Sequence, residues 1–383
     1  FAYFRIFYRF SACIRGGLPL SLRFEKEGGG MFTAKDLRKL ILPLIVEQFL
    51  AVTIGMADTI MVASTGEAAM SSVSLVDAIN ILLINIFSAL ATGGAIVASQ
   101  YLGREDNKRA NVAAKQLLLV TTAMSAFIMA VCLIGRNPIL DLIFGKIEPE
   151  VMDNCRVYFF WSALSYPFLA VYNAGAALYR SMGNSKVSML TSTLMNAINI
   201  AGNALLIFGF HMGVAGAAIA SLFARMVGAV LITCLLRFKP HVIQLEAVFK
   251  LDFQPEMIKN ILKFGVPTGL ENGMFQIGRL MTQGLVATFG LTATTANAIG
   301  MSLSAFPQIP GTAIGLAMVT VVGQCICARR QEEAKRYTLK LTGLAYLAMG
   351  ALNLVMLALL PVVIGIYNPS PATAALAREL MLY

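Results

Sequence analysis

The sequence predicts an all-α, polytopic transmembrane protein made of two parallel six-helix bundles, the second of them truncated. Three observations carry that expectation. Hydrophobic residues make up 57% of the 383 residues and charged residues only 13%, whereas a soluble domain is about 25% charged. Apolar runs of roughly 20 residues, the length a helix needs to cross a bilayer, recur along nearly the whole chain. One pattern is also written twice, 224 residues apart: Pro43, Glu47, Gly66 and Gln100 return as Pro267, Glu271, Gly290 and Gln324. The register holds without a gap, and Val62-Ala63, Ala69, Ala89, Val97 and Ala110 recur as well.

Taken in order, the chain opens at Phe1 with Arg5, Arg9, Arg15, Arg23 and Lys26 among aromatics, then Gly28-Gly29-Gly30. Residues 1–30 are expected to be a non-native or disordered extension, with an extra helix as the alternative. Met31 opens a more ordinary beginning. Spans are expected at 38–62, 72–99, 115–134, 157–178, 187–209 and 213–236, which with their connectors form a first bundle over residues 31–238. A linker follows at 239–259. A second, incomplete bundle over 260–383 holds spans at 260–286, 293–323 and 341–365, and the start of a tenth near Ala375. By the repeat, about two and a half helices would complete it.

Charge alternates along this series. The second, fourth, sixth and eighth connectors carry sixteen Lys or Arg, including Arg104, Lys108, Arg109 and Lys115 after the second span. The odd-numbered connectors carry three: Arg136, Lys146 and Arg156. Basic residues collect on the cytoplasmic side of a membrane protein, which places the N-terminus in the cytoplasm of a multi-pass inner-membrane protein. Six spans separate the two copies, an even number, so they enter from the same side and are related by an axis along the membrane normal. The formal charge of +10 is therefore a topology signal and implies no nucleic-acid partner. The six cysteines are scattered, and neither their spacing nor the two histidines suggests a metal site or a catalytic constellation. The chain is expected to be no enzyme, to need no cofactor and to act as a monomer within the lipid bilayer.

Polar residues inside apolar spans point to function. Asp58 stands late in the first span, within Gly55-Met-Ala-Asp-Thr-Ile-Met-Val62. A carboxylate at that depth costs at least about 2.5 kcal/mol on insertion scales, which suggests a proton or cation partner; an inert, hydrogen-bonded carboxylate near the interface is the plain alternative. Asp77 and Asn80 share one face of the second span and fit either cavity lining or helix packing. Asn196, Asn199 and Asn203 form a stripe at helical spacing that must face protein or water. Glu47 and Glu271 each follow a proline by four residues and stand near the cytoplasmic ends of their spans, where they line a cleft between halves or sit among headgroups. Gln276 and Arg279 lie further along the seventh span; Arg279 is expected to pair with Glu271 or Asp58, or to meet an anionic solute. Tyr158-Phe159-Phe160-Trp161 fits an interfacial aromatic belt, and Tyr172 is a candidate for cavity lining.

From about residue 38 to 365 the chain resembles the multidrug and toxic compound extrusion (MATE) family. The matching pieces are Pro43 with Asp58-Thr59-Ile60-Met61-Val62; Gly94 with Gln100, Gly103 and Ala110; Leu178-Tyr179-Arg180-Ser181-Met182-Gly183-Asn184; Asn199 through Gly209; Gly213-Val214-Ala215-Gly216-Ala217-Ala218; Gly265-Val266-Pro267; Glu271-Asn272-Gly273-Met274-Phe275-Gln276; and Asn297-Ala298. The resemblance implies two six-helix bundles arranged as a V, and export of amphiphilic, often cationic, organic compounds or drugs against an inward flow of H⁺ or Na⁺. It implies a cation site at Asp58, Asn199 and Asn203, the only place where a metal ion, Na⁺, would be expected. Two positions depart from the family pattern. Asn203 stands where members of the archaeal and DinF type carry an aspartate, and Phe275 stands where many members carry a seventh-helix glutamate. Two other functions share part of this reading. A flippase for a lipid-linked precursor would favour a strongly basic cleft, and only Arg225 and Arg279 are obvious candidates for one. A channel-like or non-transporting membrane protein would need no coupling site.

Overall fold

The computed structural model describes residues 31–145, 147–238, 242–244, 253–289, 291–366 and 371–382. The expected extension at 1–30 and most of the linker lie outside these. Among the described residues every regular element is a helix: α1 (Ala34–Ala63), α2 (Glu67–Gly103), α3 (Asn107–Ile134), α4 (Arg136–Phe144), α5 (Pro149–Ser181), α6 (Ser185–Asn203) continued by a π-helical turn (Ala204–Gly209), α7 (Gly213–Phe238), α8 (Pro255–Ala287), α9 (Leu291–Cys327), α10 (Gln331–Ile366) and α11 (Pro371–Leu382). Each of the nine expected spans falls on one of them. Six of these helices are long and apolar enough to cross a membrane by length and composition. The other three span-length helices, α1, α5 and α8, hold much of the polar chemistry.

Local chemistry sets the boundaries. Thr33 and Asp36 cap α1 reciprocally: Asp36 N donates to Thr33 Oγ1 (3.2 Å) and Thr33 N to Asp36 Oδ2 (3.1 Å), so two amides that lack helical acceptors are satisfied. Asp106 caps α3 by accepting from Arg109 N at 3.0 Å. Pro255 occupies the first turn of α8, where its missing N–H costs nothing; the helix therefore starts inside the stretch expected to be linker. The short helix α4 was not expected. It lays Leu140, fully buried, on the core formed by α2 and α5, while Leu142 stays 86% exposed.

The duplication is visible in the backbone. α2 and α9 begin at Glu67 and Leu291 and end at Gly103 and Cys327, and α3 and α10 begin at Asn107 and Gln331; each pair is 224 residues apart. The turns between them share two equivalent backbone bonds. Glu105 N donates to Leu102 O and Asp106 N to Tyr101 O, as Arg329 N does to Ile326 O and Arg330 N to Cys325 O. Glu105 (φ 58°) and Arg329 (φ 61°) are both left-handed. The pseudo-twofold axis passes where equivalent residues meet: a Cβ on Gly323 would stand 3.0 Å from that of Ser99, its counterpart.

Around this axis the halves exchange their first helices. The start of α1 (Leu37, Leu40, Ile41, Leu44) packs with Ala313, Ala317 and Val321 of α9 and Leu341 of α10. The start of α8 (Met257, Ile261) packs into the core of the first half with Val97, Ala113 and Leu117. Phe49 meets Phe306 at 6.4 Å between ring centroids. Gln324 Nε2 donates to Ser181 O (2.7 Å) and Thr320 Oγ1 to Arg180 O (3.0 Å). Apart from the Phe49–Phe306 contact near mid-helix, these contacts lie in the halves of the helices nearest the basic connectors, so the two bundles are joined on that side.

Candidate functional site

At the opposite end of α1 lies a polar cluster enclosed by α1, α2, α5, α6 and α7. Val62, with Ile207 and Ala217, forms a small apolar cluster that fixes the end of α1 against the first half. Asp58, one turn earlier, is half-buried. Asn203 Nδ2 donates to its Oδ1 at 2.8 Å. The Asn199 side chain lies 2.9 and 3.0 Å from the two carboxylate oxygens; with its amide nitrogen turned toward them, its own oxygen accepts from Ser221 Oγ at 3.0 Å. Asn199 and Asn203, four residues apart, present both amides on one face of α6. Immediately after Asn203 the helix widens into the π turn, where Phe210 N reaches back five residues to Leu205 O (3.0 Å). Such turns are frequent at functional sites. The Asn203 side-chain oxygen is buried without a hydrogen-bond partner, which leaves an unused acceptor beside a carboxylate.

A second acid shares this interior. Asp77 Oδ1 accepts from Asn80 Nδ2 (3.0 Å) and from the Tyr158 hydroxyl (3.2 Å), and Asn80 Oδ1 accepts from the Tyr166 hydroxyl (2.8 Å). Arg225 on α7, one turn after Ser221, donates to Ser165 Oγ (2.6 Å), which neighbours Tyr166 in sequence. Of the residues expected from sequence, the structure therefore brings together Asp58, Asn199 and Asn203, with Asp77 and Asn80 beside them. Tyr158 was expected to serve an interfacial belt; its hydroxyl instead points inward to Asp77. Tyr166, Ser221 and Arg225 were missed as members of the cluster. The signal available for the tyrosines was their eight-residue spacing, two turns on one helix face, opposite the i, i+3 pair Asp77 and Asn80.

The remaining expected residues separate. Glu47 is 7% exposed, not among headgroups. Ser188 Oγ donates to its Oε2 (2.6 Å), and Arg180 Nη1 stands 3.8 Å from its Oε1. Its repeat equivalent Glu271 is exposed; the counterparts of Arg180 and Ser188 would fall past residue 383. Tyr172 lies in the packed interior, 7% exposed. Asn196 is half-buried and reaches Ser192 Oγ at 3.5 Å. Gln276 is half-buried and Arg279 exposed on α8. The expected pairing of Arg279 is not formed among the described residues: Asp58 is held by the asparagines, and Glu271 stands eight residues away, about 12 Å along a helix.

The buried Glu47 group gives a stability prediction. Glu47→Ala would leave the Ser188 hydroxyl and the Arg180 guanidinium, whose side chain is 15% exposed, without their acceptor. A loss of about 2–3 kcal/mol is expected, read as a lower thermal midpoint of the detergent-purified protein. Glu47→Gln keeps an acceptor for Ser188 and should lose less.

Comparison with known proteins agrees with this architecture. The MatE family profile matches residues 43–205 and 267–383. The chain belongs to the MATE family. It is thus a multi-pass membrane transporter and not an enzyme. It is 27% identical over 346 residues to the uncharacterized transporter YisQ of Bacillus subtilis, covering 88% of this chain and 75% of the relative. It is 28% identical over 301 residues to the probable multidrug resistance protein NorM of Thermotoga maritima, covering 76% of this chain and 62% of that one. Among solved structures, an outward-facing MATE transporter of the MOP superfamily superposes with a TM-score of 0.84 at 19% identity, covering 91% of this chain and 77% of the other.

Proposed function

We propose that this MATE protein exports amphiphilic organic compounds, cationic ones included, by alternating access coupled to inward movement of H⁺ or Na⁺. In this reading the basic connectors and the N-terminus face the cytoplasm, the protein acts as a monomer in the inner membrane, and the bundles are closed on the cytoplasmic side. The observation that carries it is the Asp58 carboxylate. It sits inside the first bundle with neutral amide donors and forms no ion pair among the described residues. A carboxylate at membrane depth held only by neutral donors keeps an unmet demand for positive charge, which a proton or Na⁺ supplies. The neighbouring Asn203 oxygen, buried without a partner, is a further ligand of the right kind.

The path from ion to gate is α1 itself. Its far end, with Asp58 and Val62, belongs to the core of the first half, while its near end, from Leu37 to Leu44, belongs to the core of the second. Leu44 and Asp58 are fourteen residues apart, about 21 Å of helix. A cation that changes how Asp58 is held by α6 therefore changes the pull on a helix that also closes the cytoplasmic side. The ion couples the two only if its affinity differs between the two conformations. The similarity to a probable multidrug resistance protein supports the substrate class.

Sealed vesicles carrying the full-length protein test this reading. With only a proton or only a sodium gradient imposed, an antiporter accumulates ethidium against its concentration gradient. A channel would only dissipate an imposed ethidium gradient, and that result would sink the proposal.

A further inference from the structure

Among the described residues, the polar cluster of the first half holds three formal charges. Asp58 comes from α1, Asp77 from α2 and Arg225 from α7; α5 and α6 contribute neutral groups there, Tyr158, Tyr166 and Ser165 from one and Asn199 and Asn203 from the other. Packing brings the three into one neighbourhood: Tyr158, which donates to Asp77, also packs against the apolar cluster of Val62, one turn from Asp58, and Arg225 follows Ser221, the partner of Asn199, by one turn of α7. None is neutralised by direct contact with another described residue. Asp77 is held by Asn80 and Tyr158. Arg225 donates to Ser165 and forms no ion pair among the described residues. The guanidinium is permanently charged, and a cation at membrane depth bonded in this way to a neutral hydroxyl, in the same cluster as two carboxylates, is unusual.

We propose that Arg225 is the built-in counter-charge of an Asp58–Asp77 pair, so that the empty cluster carries a net charge of −1 and takes up one monovalent cation per transport cycle. This rests on the coupling reading above and adds its stoichiometry. Two acids and one guanidinium leave a single negative charge. The energy of a net charge in a medium of low dielectric grows steeply with its size, so one H⁺ or Na⁺ that brings the cluster to zero is favoured and a second that makes it positive is opposed. Asp77 thereby supplies a second acid from α2 where position 203 holds an asparagine. The neutral donors around it orient the carboxylates without altering the count.

The test is a charge swap in the full-length transporter, reconstituted in sealed vesicles and driven by a graded proton or sodium gradient. Steady-state accumulation of tetraphenylphosphonium, plotted as its logarithm against that of the driving gradient, gives the number of cations per cycle as a slope. The unmodified protein should give one. Arg225→Gln leaves a net −2, and should raise the slope toward two and lower the half-saturating cation concentration on the order of tenfold. Asp77→Asn leaves a net charge of zero and should raise that concentration by a similar factor and abolish coupled accumulation, although Asp58 is intact. The double variant Asp77→Asn/Arg225→Gln returns the cluster to −1 and should recover coupling with a slope of one, which a merely structural role for either residue would not produce. A slope of two in the unmodified protein overturns the inference without needing any variant to fold. Single variants that match the unmodified protein overturn it and leave the coupling reading standing. Absence of accumulation in the unmodified protein under either gradient overturns both.

Discussion

Asp58→Asn is expected to collapse gradient-driven accumulation to an inside-to-outside ratio near one, while exchange of labelled for unlabelled compound at equal concentrations continues. The substitution keeps the size of the side chain and its ability to bond Asn199 and Asn203, whose amides can turn to accept, so the fold of the first bundle should survive. What disappears is the charge. One elementary charge moving inward across 100 mV supplies about 2.3 kcal/mol, roughly a fifty-fold gradient at about 1.4 kcal/mol per factor of ten. Without a carboxylate to carry the cation, that work cannot reach the solute, and affinity for the solute should change by less than about threefold because coupling is a difference between states. Accumulation and exchange measured side by side in vesicles decide the matter. Full ion-driven accumulation by Asp58→Asn would remove Asp58 from the mechanism.

Much of the fold was legible in the sequence because membrane-spanning helices announce themselves by length and apolarity, and because a duplication keeps its register. The matching ends of α2 and α9 and the matching left-handed residues Glu105 and Arg329 follow from a repeat that could be read from Pro43, Gly66 and Gln100. The site was legible in part. Asp58, Asn199 and Asn203 stood out as polar groups in apolar runs, and Asp77 and Asn80 as a pair on one face. Their assembly was not legible, since which face of α5 or α7 turns inward depends on packing among five helices. Tyr158 therefore passed for an interfacial ring, and Arg225 for a candidate in a basic cleft. Glu47 and Glu271 show the same limit. Equivalent in sequence, they meet different surroundings, because Ser188 and Arg180 reach one of them and nothing in the described residues does the same for the other. The exchange of α1 and α8 between halves had no local signal, being a property of how the two copies dock.

That docking predicts the second large effect. Gly93→Val should drive the closed cytoplasmic side open. A Cβ at Gly93 would stand 2.6 Å from the backbone nitrogen of Gly265 and the backbone oxygen of Ile261, and 2.8 Å from the Gly265 Cα. Backbone atoms of a helix cannot turn aside as a flexible side chain does, so α8 must move away from α2 as a body, and the contact broken is the one that joins the halves. Overpacking of a tight interface costs about 1–3 kcal/mol. At about 1.4 kcal/mol per factor of ten, the closed form loses some five- to hundred-fold in population relative to forms in which the helices are apart. The chain carries its own reporter. Cys325 on α9 is fully buried in the cluster that holds the start of α1 and of α10, so it should react slowly with a maleimide in the unmodified protein and much faster in Gly93→Val, with the other cysteines replaced in both. Gly265→Ala offers the graded comparison: its Cβ would meet Leu90 Cα and Ala89 O at 3.3 and 3.4 Å, distances that a shift of a few tenths of an ångström relieves, and Cys325 labelling should rise only slightly. Equal labelling in all three proteins would mean that α2 and α8 are not the contact that holds this side shut.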